Sequence, residues 1–374
     1  MKDKIAGFIA FLIMVVLIIG LLFFGWILYT VIFDTNTSQT VQTSDTQTAS
    51  TDGTEVINKV EKKSIAETIT DIFTTPVQES ITYSEEKSNG KYFYEQLNEN
   101  QKAIYNGFQD NKDKLISGTY AIQFGNKFAD TLSTETGSKV LGDDYQSAIE
   151  AFTHDNSDLF YLDVSKMYLN IETKKKAFST TYNVYIKPEE GSTYFAKGFT
   201  SETDVKIAMQ KIEQEANRVK AKFTGDAYKD IKLIHDYLIE EIDYDENYQS
   251  KGTYSIYGAF VDKKCVCEGY TRAFKYLADI AGIDCLFMQG IATNSDGRTE
   301  SHAWNCVKLN GTWYLIDTTW DDPIIIGRGV ILASTHYKYF LKGTNTFNKD
   351  HKLETQFSEN GKVFSYPQVS VIDY

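Results

Sequence analysis

Hydrophobic and polar positions divide this chain into stretches with different habits. Residues 5–33 carry no charged side chain over 29 positions. As a helix that run would be roughly 43 Å long, against a hydrocarbon core of about 30 Å. A tilted membrane-spanning helix is the expected element, because a cleaved leader would show a shorter apolar run and a small-x-small site, whereas this one ends in "YTVIFDTNT". Residues 35–54 then hold eleven Ser or Thr in twenty positions, with no aromatic side chain and no periodicity. Such a segment buries too little surface to offset the entropy of ordering, which predicts a disordered linker. Residues 56–73 have a helical look with a weak apolar face, and "TTPVQESITYSEEKSNGK" carries the linker region to about residue 90.

From residue 91 onward the periodicities are those of a folding chain. Leu97, Ile104, Tyr105 and Phe108 suit one helical face, and "DDYQSAIEAFTHDNSDLFYLD" reads as a second helix running into a strand. Alternation in "KAFSTTYNVYIKP" predicts a strand ending at Pro188. Helices are expected over residues 202–223 and 226–242, the latter with Ile231, Ile234, Leu238 and Ile242 on one stripe. After "CVCEGY", the residues Tyr270, Ala273, Phe274, Leu277, Ile280 and Ala281 keep helical spacing up to Gly282, a natural stop. "IDCLFMQGIA" is apolar enough for a buried strand, and "TNSDGRTES" is a polar loop. "SHAWNCVKLNGTWYLIDTTWDDP" reads as a hairpin about Asn310-Gly311, the pair that favours a two-residue type I′ turn.

That turn sets a register. Leu309 faces Thr312, Val307 faces Tyr314, Trp304 faces Asp317 and His302 faces Thr319. Alternation with period two places His302, Trp304, Asp317 and Thr319 on one face of the ribbon, with His302 and Asp317 as diagonal neighbours. Such neighbours have Cα atoms roughly 7–8 Å apart, a span that an imidazole and a carboxylate close with one hydrogen bond.

Composition narrows the function classes. A chain of 374 residues with 42% hydrophobic and 14% aromatic side chains can fill a sizeable core. A net charge of −13, with no block of Lys and Arg, excludes the electrostatic footprint of a nucleic-acid binder. Lys2 and Lys4 precede the apolar run and no Lys or Arg follows until Lys59. The positive-inside bias therefore predicts a single-pass protein of the cell membrane, its N-terminus cytoplasmic and residues 34–374 outside.

The candidate chemistry begins in "KKCVCEGYTRAF", residues 263–274, where Cys265 and Cys267 open the helix that ends at Gly282. Zinc is a poor account of them. Cys-x-Cys is not the usual ligand gap and no second close Cys/His pair answers it, so no metal and no cofactor are expected. Residues adjacent but one do not readily reach disulfide geometry, and Cys285–Cys306 is the only pair that neighbouring strands could bring together. Four reduced thiols are the expected state. A cysteine in the first turn of a helix sits where unpaired N–H groups and the helix dipole favour thiolate over thiol, and Gly269 lets another backbone come close. Taken singly, each residue has a plainer explanation: a small buried Cys, a structural strand His, an Asp that starts a turn. Together, a helix-terminal thiol, a strand imidazole and an adjacent carboxylate are the parts of nucleophilic acyl transfer.

Three blocks, "GAFVDKKCVCEGYTRAFKYLADIAGI", "SHAWNCVKLNGTWYLIDTTWDDP" and "HYKYFLKG", resemble the core of the transglutaminase-like superfamily, the bacterial cysteine protease and transglutaminase group with papain-like folds, over about residues 225–350. The resemblance implies an α+β, papain-like cysteine-protease/transglutaminase core: a helix bearing Cys packed on an antiparallel sheet bearing His and Asp. It also implies a Cys-His-Asp triad. The family's Cys is the one followed by x-Gly-Tyr, so Cys267 takes the nucleophile role, His302 in "HAWN" the general base and Asp317 in "DTTW" the group that holds the imidazole, with Cys265 outside the triad. The departure concerns the oxyanion hole. Animal transglutaminases supply a tryptophan donor upstream of the nucleophile, and here the only upstream Trp is Trp26 in the apolar run. The expected donors are the Cys267 backbone N–H and Tyr257 in "TYSIYGAF", with Trp304 as a further substrate-binding candidate. No acidic cluster resembles the calcium sites of the animal enzymes.

The expected organisation is a cytoplasmic stub and membrane helix (1–34), an extracellular linker (35–90), an N-terminal α/β extension (91–200) and a transglutaminase-like catalytic domain (201–374). The expected substrate is a peptide or protein amide, cell-wall peptides and surface proteins included, with water or a lysine amine resolving the acyl-enzyme. The competing expectation is a binding module that holds peptides or cell wall in the same cleft without turnover.

Overall fold

Two antiparallel four-stranded sheets, with the helices packed on them, account for residues 37–41, 91–322 and 333–374, which are those described by this computed structural model. The expected membrane helix and most of the linker lie outside the described residues. Among the described residues no helix is long and apolar enough to cross a membrane.

The first sheet comprises β1 (Thr37–Val41), β2 (Ile122–Gly125), β3 (Tyr168–Lys176) and β4 (Ser179–Lys187) in the spatial order β1-β3-β4-β2. Helices α1 (Glu99–Gln109) and α2 (Gly137–Asp155) pack on each other beside it. A reciprocal cap starts α1: the Asn98 side chain accepts from the Gln101 N–H while the Gln101 side chain accepts from the Asn98 N–H. The face expected from spacing is the buried one, with Ile104, Tyr105 and Phe108 all sealed from solvent.

Two expectations are corrected in this half. Thr37–Val41 falls in the expected disordered linker, yet it pairs with β3 from Thr37↔Thr173 to Val41↔Leu169. With β4 on one side of β3, its other edge leaves backbone groups unpaired, and a Thr-containing extended segment satisfies them. The segment "DLFYLD" does not form the expected strand. Leu159, Phe160, Tyr161 and Leu162 are buried as a turn with a single bridge, Leu162↔Phe195, and the strand starts only at Tyr168. Aromatic bulk, with no alternation, is what gave that run its strand-like appearance.

The second half follows the expected order closely. Helix α3 (Glu202–Lys220) is capped by Ser201 and α4 (Ala227–Glu241) by Asp226, each side chain accepting a first-turn N–H. Next come β5 (Asp243–Tyr244), β6 (Lys264–Cys265) and α5 (Cys267–Ala281), which stops at Gly282 in the left-handed region, φ +74°. The second sheet has the order β10-β7-β8-β9, from β7 (Cys285–Thr293), β8 (Thr299–Leu309), β9 (Thr312–Ile316) and β10 (His351–Leu353). Helix α5 lies on β7 and β8 and buries Tyr270, Ala273, Phe274 and Leu277 completely. Phe274 and Leu277 alone contribute roughly 1.5–3 kcal/mol each, which fixes the height of the helix above the sheet.

Packing crosses residue 200 freely. Buried His154 of α2 stacks on Phe357 at 4.2 Å and meets the edge of Phe287 in β7 at 4.8 Å. Asp155 accepts from the N–H groups of Phe93 and Tyr94 and from the Tyr105 hydroxyl, so the start of the folded region is tied to α2. Burial pushes the Asp155 carboxyl up to about 7.

Candidate active site

The hairpin places two of the three candidate groups. Asn310 and Gly311 both have positive φ, +52° and +81°, as a type I′ turn requires. The ladder runs Leu309↔Thr312, Val307↔Tyr314 and Asn305↔Ile316, the register expected from the turn. Past its last pair, Asp317 turns its carboxylate to His302, whose Nε2 lies 2.8 Å from Asp317 Oδ2. The other carboxylate oxygen, Oδ1, accepts from the N–H groups of Thr319 (3.0 Å) and Trp320 (3.2 Å).

Cys267 is the first residue of α5 and is half-buried. The first N–H groups of a helix have no partner within it, so the end that carries the thiol is electropositive. Three fastenings hold α5 in place. Tyr270 donates its hydroxyl to Ile242 O (2.8 Å) and shares it with Asp322 Oδ2 (2.6 Å). Asn305 Nδ2 on β8 donates to Thr271 O (3.0 Å). Gly269 permits the third, because a Cβ there would meet Cys265 Cβ at 2.5 Å and Thr253 O at 3.0 Å.

Helix and hairpin thereby bring Cys267 and Asp317 to opposite sides of one imidazole. Burial alone would lower the pKa of His302, but the charge and hydrogen bond of Asp317, joined by a hydrogen bond to Cys267, outweigh it and push it up to about 10. With Nε2 engaged by Asp317, Nδ1 is the ring nitrogen left to serve the thiol. Burial works against ionisation of Asp317 too, yet His302 and His351 hold its carboxyl well below the usual range. This site is therefore built to keep an imidazolium next to an anionic carboxylate at neutral pH.

Tyr257 belongs to an aromatic cluster. Its ring packs on Phe199 (5.2 Å) and Phe160 (6.1 Å), and its phenol is pushed up by burial and by the charges of Asp262 and Asp204. Trp304 does lie beside His302, with ring centres 6.2 Å apart, but it is only 2% exposed. It forms the floor under the imidazole, with no open face for a substrate. Among the described residues its Nε1 has no hydrogen-bond partner.

Two tyrosines that sequence reasoning passed over feel the Cys267 thiol electrostatically. The phenols of Tyr244 and Tyr254 are pushed up by burial and then by neighbouring charges that include Cys267 in both cases. Asp245 organises their loop, accepting from Gln249 N, Ser250 N and Thr253 Oγ1. β5 pairs with β6, and Val266 N donates to Thr253 O, which moors the loop beside the start of α5. The available signal was four tyrosines within "DYDENYQSKGTYSIYG" immediately before the cysteines. Also unforeseen is His351, whose Nε2 lies 3.2 Å from Asp317 Oδ2. Its sequence context, "KDHKLE", gives no periodic cue.

Side-chain atoms of His302, Asp317 and His351 come within 4.8 Å of one another, a donor set that could hold a transition metal. Those atoms are already engaged in the two Asp317 hydrogen bonds. All four cysteines are free thiols. Cys265 is fully buried and burial pushes its thiol far up, which suits a residue outside the triad. Cys285 pairs across the ladder with Val307 and Cys306 with Leu286, so alternation sends the two side chains to opposite faces of the sheet and no bridge can join them.

Known proteins align with this same region. Residues 214–318 match the transglutaminase-like superfamily. Kyphoscoliosis peptidase of Mus musculus is 25% identical over 168 residues, 40% of this chain and 24% of that protein. The Homo sapiens kyphoscoliosis peptidase is 30% identical over 99 residues, 24% of this chain and 15% of that protein. The matched segments thus span about a quarter or less of these curated relatives. A crystal structure of a TGase is 15% identical with a TM-score of 0.28, covering 46% of this chain and 48% of the other. Residues 214–318, the segment similar to the transglutaminase-like superfamily, carry Cys267, His302 and Asp317.

Proposed function

We propose that the protein is a thiol-dependent acyl-transfer enzyme acting on peptide or protein amides, with Cys267 as nucleophile, His302 as acid and base and Asp317 as its orienting carboxylate. The observation that carries this reading is the single imidazole engaged on one side by Asp317 at 2.8 Å and on the other by the thiol at the start of α5. In the forward step the Cys267 thiolate adds to the amide carbonyl carbon, the C–N bond breaks, and the departing amine takes the proton held by His302. Neutral His302 then accepts a proton from water or from an incoming amine as that nucleophile attacks the thioester, and the thiolate leaves. Water gives hydrolysis, the outcome named in the curated relatives, and an amine gives transamidation. The Cys267 N–H and a hydroxyl of Tyr244 or Tyr254, in place of Tyr257, serve the developing oxyanion. We further propose that residues 5–33 anchor the enzyme in the membrane with this domain outside the cell, within reach of cell-wall peptides and surface proteins.

Alkylation by iodoacetamide at neutral pH tests the assignment. Full-length protein is expected to be labelled at Cys267, Cys267→Ser and His302→Ala to abolish that labelling, and Cys265→Ser to leave it intact. Labelling at Cys265 would refute the role given to Cys267. An inert Cys267 in folded protein would favour a peptide-binding module without turnover.

A further inference from the structure

We infer that His351 is a positioning residue of this site, a second imidazole that clamps the Asp317 oxygen shared with His302 and so fixes the direction in which His302 is held. The inference rests on the triad reading above. His351 opens the edge strand β10, which pairs with β7 (His351↔Ala292), and its side chain reaches Asp317, 34 residues earlier; His351 lies outside the matched segment. Its side chain is fully buried. The ring is wedged between Phe347, 4.1 Å away centre to centre, and Trp320, at 4.6 Å. Buried in this way, it has no free choice of rotamer.

Both ring nitrogens face carboxylates. Nε2 lies 3.2 Å from Asp317 Oδ2, the oxygen that also serves His302, and Nδ1 lies 2.8 Å from Asp350 Oδ1. Asp350 is held in turn by the Tyr339 hydroxyl, which donates to Oδ2 at 2.7 Å. The charged and titratable groups that meet His351 are therefore Asp317 and Asp350, with His302 and Tyr339 as ring neighbours at 5.6 and 5.3 Å. Asp317 accepts four hydrogen bonds in all, two on Oδ1 from the backbone and two on Oδ2 from the imidazoles. Four donors saturate the lone-pair sites of an ionised carboxylate. Without the His351 donor, a buried carboxylate keeps one oxygen under-satisfied and gains freedom to turn about its terminal torsion. The His302 ring then loses its defined aim at Cys267. His351 touches neither the thiol nor the carbonyl to be attacked, so its effect passes wholly through Asp317 and His302.

The test compares full-length wild type with His351→Gln, which keeps an N–H near the Nε2 position, and His351→Phe, which keeps the ring and removes both donors. Cys267→Ser supplies the background. The readouts are the rate of iodoacetamide alkylation at Cys267 from pH 5 to 10 and the low-field proton NMR signals of imidazole N–H groups. His351→Phe is expected to alkylate roughly ten- to a hundredfold more slowly at neutral pH. Its pH profile should move upward, toward that of an isolated thiol, while His351→Gln recovers most of the rate. Wild type should show carboxylate-bonded imidazole protons from both His302 and His351, and His351→Gln should lack those of His351 alone, a comparison that decides the matter even if His351→Phe does not fold. A folded His351→Phe with the wild-type profile, a His351→Gln as impaired as His351→Phe, or low-field imidazole signals identical in wild type and His351→Gln would overturn the inference. Failure of the triad reading looks different: wild type itself would not be labelled at Cys267.

Discussion

Replacing Asp317 by Asn tests the electrostatic arrangement at its centre, because the change removes one charge and almost no volume. The native carboxylate is 1% exposed and accepts on both oxygens. An asparagine can keep its oxygen toward the Thr319 and Trp320 N–H groups, which leaves its NH₂ pointing at two imidazole nitrogens that themselves donate. Each imidazole must then release the proton on Nε2 or lose its partner. For His302 that moves the proton to Nδ1, the nitrogen facing Cys267, and a protonated Nδ1 cannot take a proton from the thiol. Breaking one partner out of a buried ionic pair costs about 3–5 kcal/mol. In a folded region of this size that corresponds to a fall of roughly 10 °C in melting temperature. The wrong-tautomer penalty on the chemical step is on the order of 10⁴ where a comparable triad carboxylate is amidated.

The assay is Cys267 alkylation and peptide-amide turnover at pH 7 on protein verified as folded, with the melting curve recorded in parallel. Gly311→Ala serves as a control for stability alone. Gly311 has φ +81° with nothing near its missing Cβ, so alanine there strains the turn by about 1–2 kcal/mol and leaves the site untouched. Asp317→Asn should lose rate far beyond what Gly311→Ala loses. If folded Asp317→Asn retained within tenfold of the wild-type rate, the orienting role of Asp317 would be wrong.

Further outcomes follow from the same geometry. Gly269→Ala forces a methyl to within 2.5 Å of Cys265 Cβ and 3.0 Å of Thr253 O, and should cost about 1–3 kcal/mol by thermal melt while displacing the Tyr254 loop and slowing alkylation. Tyr244→Phe and Tyr254→Phe should each fold normally, and removal of the one that serves the oxyanion should lower turnover by roughly 10²–10³ without preventing Cys267 labelling. Since folding raises the His302 pKa to about 10 from its ordinary 6.5, its contribution to stability is fully present below about pH 6.5 and is lost as pH rises through 10. Wild type should therefore lose more stability than His302→Gln between pH 7 and pH 10.5. Protease added to intact cells should remove residues beyond about 60 and spare the apolar run, and protection of the entire chain would contradict the orientation argued from Lys2 and Lys4.

Local chemistry was legible in the sequence where it is dictated by local rules. Asn310-Gly311 announces its turn, the turn sets the ladder, and the ladder puts His302 beside Asp317 before any tertiary contact is considered. Helices α3, α4 and α5 were legible for the same reason, since caps and stops at Ser201, Asp226 and Gly282 lie within a residue or two of the elements they bound. His351 was not, because nothing in a three-residue edge strand specifies which neighbour it will meet; its place comes from β10 docking on β7. Tyr257 was favoured over Tyr244 and Tyr254 by proximity in sequence alone. Tyr257 packs on Phe199 just before the wide helical turn over Gly258–Asp262, while the Asp245 hydrogen bonds organise the preceding loop and the Val266 N–H to Thr253 bond moors it at the start of α5. The strand-like "DLFYLD" failed for a related reason: burial of aromatic bulk looks the same in a strand and in a tightly packed turn.

The three groups are unequally sealed, and that inequality assigns different tasks to different parts of the fold. Asp317 and His302 are 1% and 5% exposed, floored by Trp304 and flanked by Trp320 and His351, whereas Cys267 remains half-buried. Among the described residues the thiol is thus the most accessible of the three groups. In a low-dielectric pocket the acid and base end needs no reorganisation during turnover, and its hydrogen-bond geometry can be held constant for any acyl donor. Under the proposed acyl transfer, the loop that bears Tyr244, Tyr248 and Tyr254 is the expected place for choice of acyl donor, since it precedes α5 and is moored to its start. Tyr248 is half exposed and has φ +53°, a backbone region unfavourable for a bulky side chain, and its ring stacks on Tyr254 at 6.1 Å. Strain there is sustained by the buried Asp245 hydrogen bonds beneath it, so substitutions in this loop should change which substrates react while leaving the alkylation chemistry of Cys267 largely as it was.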